Sequence, residues 1–332
     1  MTVRVAFGRR GNRLGVALGA IAFVALAAAP WWGGRDDLQL FSEIYAYVAL
    51  ASLWNLLAGY AGLVSVGQQA YVGLGAYSLF ALAILFGISP LWSIPLAGLI
   101  AAALSIPMAL LVFRLRGHYF AIGTWIVAEV FRLTASQISA LGGGSGTSLP
   151  AAVVIAIAPT RALRDFTMYW IALLLAAAVL ALIVLLLRSR YGLALKAMRD
   201  AELAAACSGV DVYRTKFLVY VLTALATAML GALIFLQKLR ISPDAAFSVN
   251  DWTAFVIFIT VIGGIGRIEG PIVGTLVFFA LRQTLADLGT IYLMMLGLVA
   301  IVTMLLAPKG IWGMVGGAVR LAAFPAGANS AI

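Results

Sequence analysis

Apolar runs of roughly 15–23 residues alternate with short polar breaks along almost the whole chain. They lie at about 14–32, 40–58, 66–86, 91–113, 118–137, 166–187, 214–236, 251–265, 271–286 and 291–307. Each is near the ~20 residues that a helix needs to cross a hydrocarbon core. The pattern predicts an all-α, polytopic membrane protein of about ten transmembrane helices. The first run, Leu14–Trp32, follows Arg4, Arg9, Arg10 and Arg13 and resembles a signal peptide, with Ala27 to Ala29 at the cleavage position. Because so many spans follow, an uncleaved first helix is expected, with Trp31 and Trp32 at the far interface. The chain 1–332 reads as one transmembrane domain. Residues 1–39 form an N-terminal arm and first helix, 40–313 the core, 188–216 a polar internal loop and 314–332 a tail.

Composition agrees. The chain is 64% hydrophobic and 10% charged, with a mean hydropathy of +1.08. Soluble domains carry about 25% charged residues, so a soluble globule is excluded. The net charge of +10 does not require a nucleic-acid partner. Lys and Arg are retained on the cytoplasmic side of membrane proteins without balancing acids. With the N-terminus inside, strict alternation also puts 114–117, 188–213, 266–270 and the C-terminus inside. That side then holds fifteen of the 22 basic residues. The other seven are Arg35, Arg132, Arg161, Arg164, Lys238, Arg240 and Arg282.

The inventory of reactive groups is small. One cysteine, Cys207, permits no intrachain disulfide, and one histidine, His118, anchors a span edge beside Arg114 and Arg116. No metal site is expected. P-loop, GxSxG and HExxH motifs are absent, so the chain is not expected to be an enzyme or to hydrolyse ATP itself.

Four stretches depart from plain membrane helix. In Gly59–Tyr77, Gly59, Gly62, Gly67, Gly73 and Gly75 accompany Ser65, Gln68, Gln69 and Tyr71. Glycine at this density permits close helix packing, or a break whose freed backbone groups line a polar path. Gln68 and Gln69 fit either, as interhelical glue or as solute contacts. In Ile262–Gly274, four glycines surround Arg267 and Glu269 in a tight hairpin, and Pro271 can begin the next helix. Two Gly-interrupted regions, one in each half, are the mark an internal inverted repeat leaves, although no residue-level self-similarity accompanies them. Glu129 and Arg132, three apart, can pair, and Glu129 reads as the one carboxylate near mid-span; a structural pair and a solute contact both fit. Between two spans, 138–165 contains GGGSGTSLP and is expected to be irregular.

The fourth stretch, Arg188–Lys216, gathers six basic residues between long apolar runs. Gly192 to Ser208 is rich in Ala and Leu and predicts one or two short amphipathic helices. Asp200 is placed to cap the second, with Glu202 in its first turn and Gly209 at its stop. Lys196–Asp200 and Arg199–Glu202 have helical pairing distances. An interfacial helix on anionic lipid and a docking helix for a cytosolic partner both fit, and acids at Asp200 and Glu202 favour the partner.

The loop YGLALKAMRDAELAAACSGVDVYRTK resembles the cytoplasmic loop of branched-chain amino acid ABC-transporter permeases of the LivM type. GYAGLVSVGQQAYVGLGAY, RLRGHYFAIGTWIVAEVFRL, GGGSGTSLP, VIGGIGRIEGPIVG and GLVAIVTMLLAPKGIWG are similar to blocks of the same family, in its order, from about 40 to 313. The resemblance implies the permease subunit of an ATP-driven importer of branched-chain amino acids or related small polar solutes, in a bacterial inner membrane, multi-pass, with both termini cytoplasmic. It also implies a second homologous permease subunit, two cytosolic ATPase subunits that bind the ATP, and a periplasmic solute-binding protein; no cofactor belongs to the chain itself. Gly192, Leu195, Lys196, Arg199, Asp200, Glu202 and Gly209 would then form the coupling helix. Ser65, Gln68, Gln69 and Tyr71, with Glu129 and Arg132, would be the candidates for the solute path. The family pattern often carries further acids after the coupling-loop Arg, where this chain has Asp-Ala-Glu and an Ala run. Urea or amide import is the alternative within the same class. A self-sufficient secondary transporter or channel is the alternative outside it, and it would need more mid-span carboxylates than Glu129.

Overall fold

The computed structural model describes residues 26–31, 34–285, 291–306 and 310–313. Most of the first apolar run and the tail 314–332 lie outside these residues. Helix α1, Arg35–Asn55, passes directly into a π-helical turn, Leu56–Tyr60. After an irregular stretch come α2 (Gln68–Leu85), α3 (Pro90–Val112) and α4 (His118–Ser136). A connection with a short helix α5 (Ala151–Ile157) leads to α6 (Arg161–Arg188). Two short helices follow, α7 (Arg190–Asp200) and α8 (Glu202–Cys207), then α9 (Val212–Lys238). The remaining elements are α10 (Pro243–Ala246), a π-helical turn Asn250–Ala254 running into α11 (Phe255–Gly263), α12 (Gly270–Leu285) and α13 (Ile291–Leu306). Apart from one two-residue antiparallel pair, β1 (Thr147–Ser148) with β2 (Arg240–Ile241), the described chain has no strand.

Six helical stretches among the described residues are long and apolar enough to cross a membrane. They are Arg35–Tyr60, Gln68–Leu85, Pro90–Val112, Arg161–Arg188, Val212–Lys238 and Pro243–Gly263. Helices do form over the expected runs at 118–137, 271–286 and 291–307, but α12 and α13 have only 16 residues each and α4 carries Glu129 and Arg132.

Small residues set the packing. A Cβ on Gly75 would collide with the backbone of Ala228, and one on Gly231 with the backbone of Val72, so α2 and α9 touch main chain to main chain. The same holds for α11 and α12, where Gly263 meets Gly270 and Gly274 meets Ile259. Such contact replaces the hydrophobic drive that is missing between helices in lipid. Aromatic rings fill the wider seams, with Tyr47 against Trp252, Phe278 and Phe279.

The helix ends sort into two sets. At one end, here the loop end, Lys216 Nζ meets Glu202 Oε2 at 2.8 Å, and Asn55 binds the hairpin between α11 and α12. At the far end, Arg35 meets Asp165 at 2.7 Å, Arg282 meets Glu43 at 2.6 Å and Arg132 meets Asp244 at 2.7 Å. The expected irregular connection lies there: Gly142, Gly143 and Gly146 all have positive φ, and β1 fastens it to the chain just beyond α9.

Candidate functional site

At the loop end, α7 and α8 form a helical pair held onto the bundle by one apolar face. Ser189 caps α7, its hydroxyl accepting from Tyr191 N at 3.2 Å. Gly192, Leu195 and Met198 are buried at helical spacing, with Leu195 0% exposed. Gly192 lies so close to the Leu187 backbone that no side chain fits. Lys196 is half-buried, whereas Arg199, Asp200, Glu202 and Gly209 are exposed. The chain turns at Ala201, in extended conformation, and α8 ends in a Schellman motif around Gly209, whose φ is +86°. Val210 N donates to Ala205 O and Gly209 N to Ala206 O, both at 3.1 Å.

Three expectations for this loop change. Asp200 is the last residue of α7 and does not cap α8; Ala201 occupies that position without a side-chain bond. Arg199 lies 3.6 Å from Asp200, and neither it nor Lys196 makes the pair that continuous helix geometry would give. The extended Ala201 swings Glu202 out of register, so that it meets Lys216 on α9 instead. Sequence reasoning also passed over Leu193 and Leu203, which are 70% and 85% exposed. Their signal was present: both are leucines off the buried 192-195-198 face.

This pair sits on the broken end of α1. Asn55, 2% exposed, donates from Nδ2 to Arg267 O and accepts from Gly266 N, both at 2.7 Å. A Cβ on Gly59 would lie 2.6 Å from Gly266 N, and one on Gly266 would lie 3.5 Å from Arg199 Nη1. The coupling-loop candidate Arg199, the π-helical turn and the glycine hairpin thus share one contact zone.

Both uses of glycine occur in Gly59–Tyr77. Gly73 and Gly75 serve packing, while Ala61–Gly67 is not helical and Gly62 has φ +68°. Val66 N donates to Thr124 Oγ1 at 3.1 Å, which ties the break to α4, and Val64 is 52% exposed. Ser65, Gln68, Gln69 and Tyr71 are buried within the subunit. Ser65 O accepts from Trp54 Nε1 at 2.8 Å and its hydroxyl accepts from Gly67 N at 3.2 Å. Gln68 Nε2 donates to Leu50 O at 3.0 Å, Gln69 bonds Thr253, and Tyr71 OH donates to Tyr220 OH at 2.8 Å. Gln68 Oε1 and Gln69 Nε2 have no partner among the described residues. Glu129 and Arg132 pair on α4, and Arg132 reaches on to Asp244.

Glu129 is not the only carboxylate within a long helix. Glu43 lies in α1 and lines a cavity of about 540 Å³ toward the far end. Its polar wall contains Gln39, Glu43, Arg164, Asp165, Lys238, Asp251 and Arg282. Its apolar wall includes Met168, Ile234, Tyr47, Trp252 and Phe255. Five separate elements contribute, which is why the sequence did not display it. None of the six sequence-derived path candidates lines this cavity.

The family described as "Branched-chain amino acid transport system / permease component" matches residues 38–323. The high-affinity branched-chain amino acid transport system permease protein LivM of Escherichia coli K12 is 27% identical over 317 residues, covering 89% of this chain and 74% of that one. A probable LivM permease protein of Methanocaldococcus jannaschii is 25% identical over 52% of the chain and 49% of its own length. The ribose import permease protein RbsC of Bacillus subtilis is 33% identical over 38% of the chain and 41% of its own. No solved structure matches.

Proposed function

From the premise that this chain belongs to the branched-chain amino acid transport permease family, we propose that it is the membrane-spanning subunit of an ATP-driven importer for branched-chain amino acids or related small polar solutes. Its partners are two cytosolic ATPase subunits, a second homologous permease and a periplasmic binding protein. The loop end is cytoplasmic in a bacterial inner membrane, as are both termini. Ten spans follow if α4, α12, α13 and the run from Leu14 are added to the six long ones.

The observation that carries this reading is the α7–α8 pair. It is a polar-faced helical pair at the loop end, seated by Gly192, Leu195 and Met198, with Leu203 85% exposed. An exposed leucine flanked by Arg199, Asp200 and Glu202 is the chemistry of a docking knob with a polar rim. Gly192 and Leu195 anchor the knob, and Lys196, Arg199, Asp200, Glu202 and Gly209 shape the face it offers. Force applied there reaches the π-helical turn of α1 and the Gly264–Glu269 hairpin through Arg199 and Asn55. Their movement shifts α1 and α2, joined by the break at Ala61–Gly67, and the interrupted span α10–α11 against the rest of the bundle. The burial of Gln68, Gln69 and Tyr71 supports the packing reading for these three.

The second permease has its own support. Irregular backbone at membrane depth persists only where protein covers it or water wets it. The break at Ala61–Gly67 exposes Val64, beside the exposed Ile122, Trp125 and Ile126 of α4. That face is where the second permease sits.

The test is Leu203→Asp and Arg199→Ala in the full transporter. Uptake should fall about tenfold or more while the chain still reaches the membrane, and the ATPase should no longer co-purify with Leu203→Asp. Normal transport by both variants defeats the reading.

A further inference from the structure

The 540 Å³ cavity at the far end has a wall chemistry that the coupling apparatus does not use. Three acids, Glu43, Asp165 and Asp251, and three bases, Arg164, Lys238 and Arg282, line it. Two of the acids already hold partners, Glu43 with Arg282 and Asp165 with Arg35. Asp251, Lys238 and Arg164 form no salt bridge among the described residues; the Lys238 ammonium lies instead over the rings of Phe235 and Trp252. Lys238 Nζ stands 4.8 Å from the ring centroid of Trp252, on the same wall. Its lining runs along α1 from Leu38 to Tyr47, about 14 Å at ~1.5 Å per residue. Its volume falls within the range of sites for small organic ligands, about 300–1,000 Å³.

Charges of both signs beside aromatic and aliphatic walls define a ligand class. A carboxylate suits Lys238 and Arg164, an ammonium suits Asp251, and an apolar side chain suits Tyr47, Trp252 and Phe255. A purely anionic or cationic solute would leave one sign of the wall unmatched, and desolvated charge without a partner is costly. We propose that this cavity is a binding site for a small zwitterion with an apolar side chain, an α-amino acid, held within this one subunit. This assignment rests on the importer reading for its biological sense, since the cavity lies toward the end opposite the coupling loop, where an imported solute arrives. It differs from that reading in placing a recognition site inside the permease chain, away from Gln68, Gln69 and Glu129.

The experiment is equilibrium binding to the complete transporter complex in nanodiscs, without ATP and without binding protein. The probes are leucine, leucinamide, which lacks the carboxylate, and 4-methylpentanoate, which lacks the ammonium. Leucine should bind, and each truncated probe should bind about tenfold more weakly or worse. Asp251→Asn should weaken leucine by a similar factor and leave 4-methylpentanoate unchanged. Lys238→Gln should weaken leucine and leave leucinamide unchanged. Arg240→Gln, an exposed charge at the same end but off the cavity wall, serves as the control and should change nothing. Thermal stability of each variant separates lost binding from lost fold. Equal affinity for all three probes, or leucine binding untouched by both cavity variants, overturns the proposal. ATP-dependent uptake that persists beside such a result leaves the importer reading standing and removes only the site.

Discussion

At the residue scale, the protein distinguishes buried polar groups that hold the fold from exposed ones that do not. Asn55 satisfies Gly266 N–H and Arg267 C=O from a site 2% exposed. Asn55→Leu would strand both backbone groups, at a cost of about 1–3 kcal/mol. A lowered melting temperature in detergent is the measurement that checks it. Glu202 is different: its partner Lys216 lies at 2.8 Å, but the carboxylate side chain is 54% exposed. Glu202→Gln should change stability by less than about 1 kcal/mol, because solvent screens the pair. Any larger effect on uptake would then report on docking rather than folding. The sequence showed Glu202 plainly and Asn55 not at all, since an Asn inside an apolar run announces no partner 212 residues away.

At the element scale, the predicted pieces were largely present while their joints were not. The Ala- and Leu-rich pattern over Gly192–Ser208 shows two helices and a glycine stop. The joint at Asp200 differs, because Ala201 adopts an extended conformation that local spacing does not reveal. The Gly59–Tyr77 block combines packing and a break, and the dividing point, near Gly67, depends on contacts with Thr124 that are remote in sequence. Contact between α2 and α9 gives a direct test. Gly231→Val should force the backbones apart and destabilise the protein by about 1–3 kcal/mol or prevent assembly. Gly144→Ala, where nothing lies within 4 Å, should be close to neutral. Size-exclusion profiles after heating would rank the two.

At the scale of the whole molecule, the polar features gather at two ends. Charge bookkeeping along the sequence predicts a sidedness, because it needs only the alternation of runs. It could not give the far-end cavity, whose charged residues lie between positions 43 and 282 and meet only when five elements pack. The polar ties differ in reach. At the loop end Asn55 ties the end of α1 to the hairpin between α11 and α12, and at the far end β1 is paired to β2. A broken span moved at one end is therefore still tethered at the other. Replacing Arg282 by Met should loosen the far end by removing its 2.6 Å contact with Glu43, and the loss should be modest, under about 1 kcal/mol, since both side chains are 40% or more exposed. Hydrogen exchange across α1 and α12 would register it.

Cys207, exposed as the last residue of α8, is the single thiol in 332 residues. The native chain therefore carries its own reporter, with no need to strip other cysteines first. A membrane-impermeant maleimide should label it in inside-out vesicles and spare it in intact cells. In the assembled transporter the ATPase should slow that labelling, and the rate would follow engagement and release through each cycle of ATP hydrolysis.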